Sequence, residues 1–128
     1  MGVVYLTAWI KRKGVAMKID FSAIEASETV GFKGGEGSVS IQASDDGKVR
    51  IMRMCVHPNS SIGLHRHMGN AEVAFVVSGA GRETYEGEER ELVPGNAIYC
   101  PEGHEHTIVN TGSEDLILFS VVPVAPQA

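Results

Sequence analysis

His65 and His67 are the first residues in this chain from which chemistry is expected. Two histidines two positions apart point to the same face of an extended strand, and neutral imidazole is the commonest side-chain metal ligand. Glu72 follows, but its parity is wrong for it to join them on one continuous strand. The intervening Met68-Gly69-Asn70 supplies a bend that can return it on a neighbouring strand. Their distant partner is His106. Ring nitrogens and a carboxylate converging on the wall of a small β-structure make a transition-metal site, whereas Ca or Mg asks for oxygen ligands. His57, before a proline at a strand end, and His104, in the turn Glu102-Gly103-His104-Glu105, read as solvated loop residues or as part of the rim.

The chain that must position these groups has 128 residues, 43% of them hydrophobic, which suits one compact domain with a real core. Its formal charge is −5 with both signs mixed along the sequence, and Lys11-Arg12-Lys13 forms the one basic run, so no nucleic-acid partner is expected. Met1 to Ile10 is mildly apolar, but its positive charge follows rather than precedes it, and it is too short to span a bilayer. No membrane partner is expected, and the expected location is cytoplasmic. Cys55 and Cys100, each beside apolar neighbours, read as buried reduced thiols. Met17 opens a more usual beginning. Residues 1–16 are therefore expected to be an extension upstream of the natural start, with 17–128 as the single domain.

Short runs of β character closed by turn residues fill most of the rest. Ser38 to Ala43 alternates as Val39, Ile41 and Ala43, and Asp45-Asp46-Gly47 is a hairpin signal. Val49 to Val56 is a strand that Pro58-Asn59-Ser60-Ser61 ends; Ile62 to His67 and Ala71 to Ser78 carry the site. Arg82 to Tyr85 pairs across Glu86-Gly87-Glu88 with Glu89 to Val93, and Ala97 to Cys100, Thr107 to Asn110 and Leu116 to Val122 complete the set. Strands this short, with turns roughly every eight to twelve residues, indicate an all-β antiparallel sandwich or barrel. Ser22 to Ser27 has room for one helical turn. Gly31 to Gly37 lacks the ending of a phosphate-binding loop and reads as a flexible turn. Glu83, Glu86, Glu88, Glu89 and Glu91 read as a solvated acidic edge, and Pro123 to Ala128 is expected to fray.

These residues resemble the cupin family. Its first motif is Gly, five residues, His-x-His, three or four residues, Glu, six residues, Gly; His65, His67, Glu72 and Gly79 fit it, with Asn59 where the leading glycine would fall. Asparagine also tolerates the left-handed backbone a turn there needs. The second motif is Gly, five residues, Pro-x-Gly, two residues, His, three residues, Asn; Gly95, Pro101, Gly103, His106 and Asn110 match it throughout. The resemblance implies a double-stranded β-helix, the cupin jelly-roll barrel, holding one divalent metal ion (Fe, Mn, Ni, Zn, Co or Cu) on His65, His67, Glu72 and His106. A six-coordinate ion would leave two positions open for ligand; a tetrahedral zinc would be closed. The resemblance also implies a homodimer, for which Ser38 to Ala43 is a candidate swapped strand.

Strand parity nominates the pocket. Ala74 and Val76 share Glu72's face, Ile108 shares that of His106, and Tyr99 supplies bulk. Arg50 and Arg53 have opposite parity, so one points inward, and Arg53 is the candidate for receiving a carboxylate-bearing ligand. Two functions fit. One is a metal-dependent enzyme acting on a small oxygen-bearing metabolite, dioxygenase-like rather than a decarboxylase or isomerase, because no lysine or second carboxylate is firmly placed as a base beside the ligands. The other is a non-catalytic, metal-stabilised module that binds or senses a small molecule.

Overall fold

Alternating apolar and polar residues produce ten short strands in the computed structural model, which describes residues 17–126. They are β1 (Ser27–Val30), β2 (Ser38–Asp45), β3 (Val49–Val56), β4 (Ser61–Arg66), β5 (Glu72–Ser78), β6 (Gly81–Tyr85), β7 (Glu88–Leu92), β8 (Ala97–Cys100), β9 (Glu105–Asn110) and β10 (Leu116–Pro123). Six form one sheet in the order β1-β2-β3-β10-β5-β8, and four form a second in the order β4-β9-β6-β7. Every pairing is antiparallel. The result is an all-β jelly roll, as expected. The expected extension over residues 1–16 lies outside the described residues.

The inward faces meet in a single core. Val39 and Ile41 of β2, Met52, Met54 and Val56 of β3, and Leu116 and Leu118 of β10 pack from the six-stranded sheet. Ile62 of β4, Leu92 of β7 and Ile108 of β9 answer from the other. Asn110 staples the sheets at one end: its amide donates to the carbonyls of Val56 (2.8 Å) and Glu114 (2.7 Å), and its Oδ1 accepts from Gly112 N–H.

Three expectations change and one holds. Ser27–Val30 forms a strand that the sequence pattern does not mark; it covers β2, which is therefore an interior strand. The Gly31 to Gly37 turn is a built loop, with Phe32–Gly34 as a 3-10 turn packed onto β4. The tail is tied down rather than frayed at its start: Val124 N–H donates to Lys48 O (2.8 Å) and Ala125 N–H to Gly69 O (2.9 Å). Asn59 does take a left-handed backbone, with φ 61°.

Candidate metal centre

The register of β4 against β9 decides where the histidines point. Ile62 pairs with Ile108 and His65 with His106, so β4 carries one residue more than its partner between these points. This bulge rephases the strand. Ile62 faces the core, Leu64 turns outward at 62% exposure, and His65 and His67 return to the inner face. Gly63 makes the rephasing possible. A Cβ there would meet Lys33 O at 2.2 Å and Gly35 N at 2.6 Å, both backbone atoms of the 3-10 loop. Glu72 opens β5, which is not a neighbour of β4 but belongs to the facing sheet. The bend at Met68-Gly69-Asn70, with Gly69 at φ 77°, therefore crosses from one sheet to the other.

The four expected ligands come together. His106 Nε2 lies 3.2 Å from His65 Nε2, 3.2 Å from His67 Nε2 and 3.1 Å from Glu72 Oε1; His67 Nε2 is 3.3 Å from the same carboxylate oxygen. Ligands bound side by side on one ion at ordinary metal–nitrogen lengths are roughly 3.0 to 3.4 Å apart. Each Nδ1 meets an oxygen that only accepts: Gly63 O for His65 (2.7 Å), Asn70 Oδ1 for His67 (2.7 Å) and Glu83 Oε2 for His106 (2.8 Å). The Nδ1 atoms thus carry the protons, and the Nε2 lone pairs aim at one another. Three such lone pairs repel unless a cation lies among them, a metal ion or, in its absence, a proton on Nε2 of His106. These residues fit a transition-metal ion.

The electrostatics agree. Burial opposes ionisation of Glu72, but hydrogen bonds from His106, His67 and Ser120 outweigh it and hold the carboxyl well below its ordinary range. Burial likewise opposes the imidazolium of His106, yet hydrogen bonds to Glu72 and Glu83 override it and raise its pKa to about 9. His65 moves the other way, lowered by burial and by the neighbouring rings of His106 and His67. Cys100, across the ladder from Glu72, is pushed up to about 11 by burial and the nearby carboxylates, so its thiol is inert; Cys55 and Cys100 are both buried and free.

The centre forms the floor of a cavity of about 480 Å³. Its walls are apolar (Phe32, Met52, Met54, Ile62, Val122), and Lys33, Arg50 and Arg66 bring three cations to it. Glu72 is the one carboxylate among the described residues that line it. The pocket expected from sequence needs correction. Arg50, not Arg53, lines the cavity, because it shares the inward parity of Met52 and Met54; Arg53 lies on the outer face and reaches Gln42 Oε1 (3.3 Å). Tyr99 is 59% exposed, since its neighbours Ile98 and Cys100 take the inward positions on β8. Ala74, Val76 and Ile108 do face inward but are buried in the core rather than lining the cavity.

His57 and His104 are not ligands. His57 bridges Asp115 (2.9 Å) and Glu28 (2.6 Å), and these acids raise its pKa, Asp115 foremost. His104 stacks on Tyr85, at 5.6 Å between ring centroids. Among the acidic stretch, Glu83 is wholly buried, contrary to its reading as a solvated edge. The hairpin register held the clue. Glu83 pairs with Arg90, which shares the parity of the apolar Leu92.

Comparison with known proteins supplies the kinship. The chain is 29% identical over 117 residues to the oxalate-binding protein of Thermotoga maritima, covering 87% of this chain and 97% of that one. A crystal structure described as a predicted oxalate decarboxylase from the same organism superposes with a TM-score of 0.80 at 29% identity, over 85% of this chain and all of the other. An RmlC-like cupin from Shewanella frigidimarina gives a TM-score of 0.71 at 16% identity, over 88% and 95% of the two chains, a likeness of fold alone. Residues 52–122 match the Cupin domain, a span that runs from the core of β3 through every one of the four converging donors, and the chain belongs to the cupin family.

Proposed function

We propose that this cupin holds one divalent transition-metal ion on His65, His67, Glu72 and His106 and binds a small carboxylate of the oxalate class against it. The observation that carries the reading is the charge of the cavity. A chain of net charge −5 brings Lys33, Arg50 and Arg66, the last two also paired with Asp45 (3.5 Å) and Glu105, to a floor whose one carboxylate among the described residues is already engaged by histidines. Such a site favours an anion. The name of the Thermotoga maritima relative as an oxalate-binding protein supports the same ligand class.

The ion would supply a Lewis-acidic anchor for a ligand oxygen. The protein does the rest: Ser120 and the carboxylate of Glu72 hydrogen-bond, three acceptors fix the imidazoles, and Arg50 and Lys33 meet the ligand's outer oxygens. Binding is favoured over a proton-transfer reaction, because the described lining residues offer no carboxylate beyond Glu72 to carry a proton. Chemistry centred on the ion, of the dioxygenase kind, is the enzymatic alternative. A cytoplasmic location and a homodimer complete the proposal.

Calorimetric titration of oxalate into metal-loaded and chelator-treated protein tests it. Binding that needs the metal, and that weakens about tenfold in Arg50→Ala through loss of a charge-assisted contact, is the expected result. Failure to take up any divalent transition metal, or equal oxalate binding with and without it, overturns the reading. Oxygen uptake in the same samples separates turnover from binding.

A further inference from the structure

The metal reading explains why His106 is held, but not why the group that holds it is an acid. Glu83 is 0% exposed. Its Oε2 accepts from His106 Nδ1 at 2.8 Å, while Oε1 is buried with no hydrogen-bond partner. Arg90 stands off at 4.0 Å from Oε1, with its guanidinium over the ring of Tyr85. A half-partnered buried carboxylate burdens the fold. Orienting an imidazole does not require one. His65 and His67 are oriented by a backbone carbonyl and a side-chain amide, both neutral.

What sets Glu83 apart from those acceptors is its negative charge. A carboxylate hydrogen-bonded to Nδ1–H pushes electron density toward Nε2 and makes the ring a stronger ligand. Together with Glu72 it also places, inside the barrel, as much negative charge as a divalent ion carries. We propose that Glu83 is a positioning residue that tightens the grip of His106 on the metal. The inference rests on the metal reading above and deepens it.

Glu83→Gln in the full-length chain keeps the side-chain length and an oxygen for His106 but removes the charge. Its Kd for Co(II) and Zn(II), measured by chelator competition, should rise 10- to 100-fold, and the visible spectrum of the Co(II) form should shift. The Tm of the metal-free protein reports separately on what the fold loses with the Glu83–His106 pair. Adding Asn70→Asp to this variant moves a charge to the acceptor behind His67 and should restore most of the lost affinity. Asn70→Asp alone should tighten metal binding, which keeps the test open even if Glu83→Gln fails to fold. A Kd within twofold of the parent overturns the inference. So does a parallel loss of metal affinity and metal-free Tm without rescue, which is the signature of a merely structural residue. If the parent chain itself takes up no metal, the metal reading fails and this inference falls with it; a parent that binds while the variant is unchanged sinks this inference alone.

Discussion

His65 and His106 donate to the same centre, yet their surroundings make them unequal. His65 is half-buried and leans on one backbone carbonyl. His106 is wholly buried between Glu72 and Glu83. His65→Ala should therefore abolish metal uptake and leave the Tm of the metal-free protein nearly unchanged. His106→Ala strips a partner from two buried acids and should cost about 3–5 kcal/mol, the usual penalty for breaking a buried ion pair from one side. Chemical denaturation of both variants after chelation checks the contrast; equal stability losses would contradict it.

The proton on His106 also sets a pH dependence. Its pKa is raised to about 9 from an ordinary 6.5, so in the metal-free protein its contribution to stability is fully present below the ordinary value and is lost as pH rises through about 9. A metal must displace that proton anywhere below about 9. Affinity should thus rise about tenfold per pH unit through the neutral range, while the metal-free fold weakens between pH 6.5 and 9. Chelator-competition titrations and Tm measurements across this range test both slopes. An affinity flat from pH 6 to 8, about the neutral range for histidine, would show that no proton is exchanged.

Among the elements, β4 depends most on a detail that sequence alone does not display. The His-x-His spacing shows that His65 and His67 share a face, but continuous alternation from the buried Ile62 would turn both outward. The bulge at Gly63 reverses this, and the backbone of Lys33 to Gly35 lies against the strand there. Gly63→Ala should drive a methyl into Lys33 O and Gly35 N, cost about 1–3 kcal/mol as an overpacked core site, and weaken oxalate binding by lifting Lys33 from the cavity. Denaturation midpoints and calorimetry check this, and a neutral substitution would remove the loop from the account. The strands with strict alternation or clear turns were legible: Val49–Val56 and Ala97–Cys100 fall where their sequences place them. Glu83 was not, because an acid among acids reads as solvent-facing until the hairpin register is known. Arg50 and Arg53 were indistinguishable for a related reason: β3 is apolar at both parities, so neither its pattern nor its flanks mark the inner face.

At the scale of the whole molecule, the unusual surface is the outside of the six-stranded sheet. A sheet with one face in water alternates apolar with polar residues. Here Phe75 and Val77 of β5 and Tyr99 of β8 point outward at 46%, 56% and 59% exposure. Phe119 of the adjoining β10 lies beside them, 6.4 Å from Phe75 and edge-on to Phe21 at 5.9 Å. Contiguous apolar surface of this kind marks an interaction site, and a closed two-fold contact between identical faces is the commonest way to cover one. The homodimer is therefore expected to form on this face rather than by exchange of β2, which already lies between β1 and β3 of its own chain. Light scattering at micromolar concentration should give twice the 13.7 kDa chain mass. Phe75→Lys combined with Tyr99→Lys should give a monomer whose circular dichroism and metal uptake match the parent, since both residues point away from the cavity. A parent chain that is monomeric under these conditions ends the prediction, and a double variant that remains dimeric moves the interface elsewhere on the barrel.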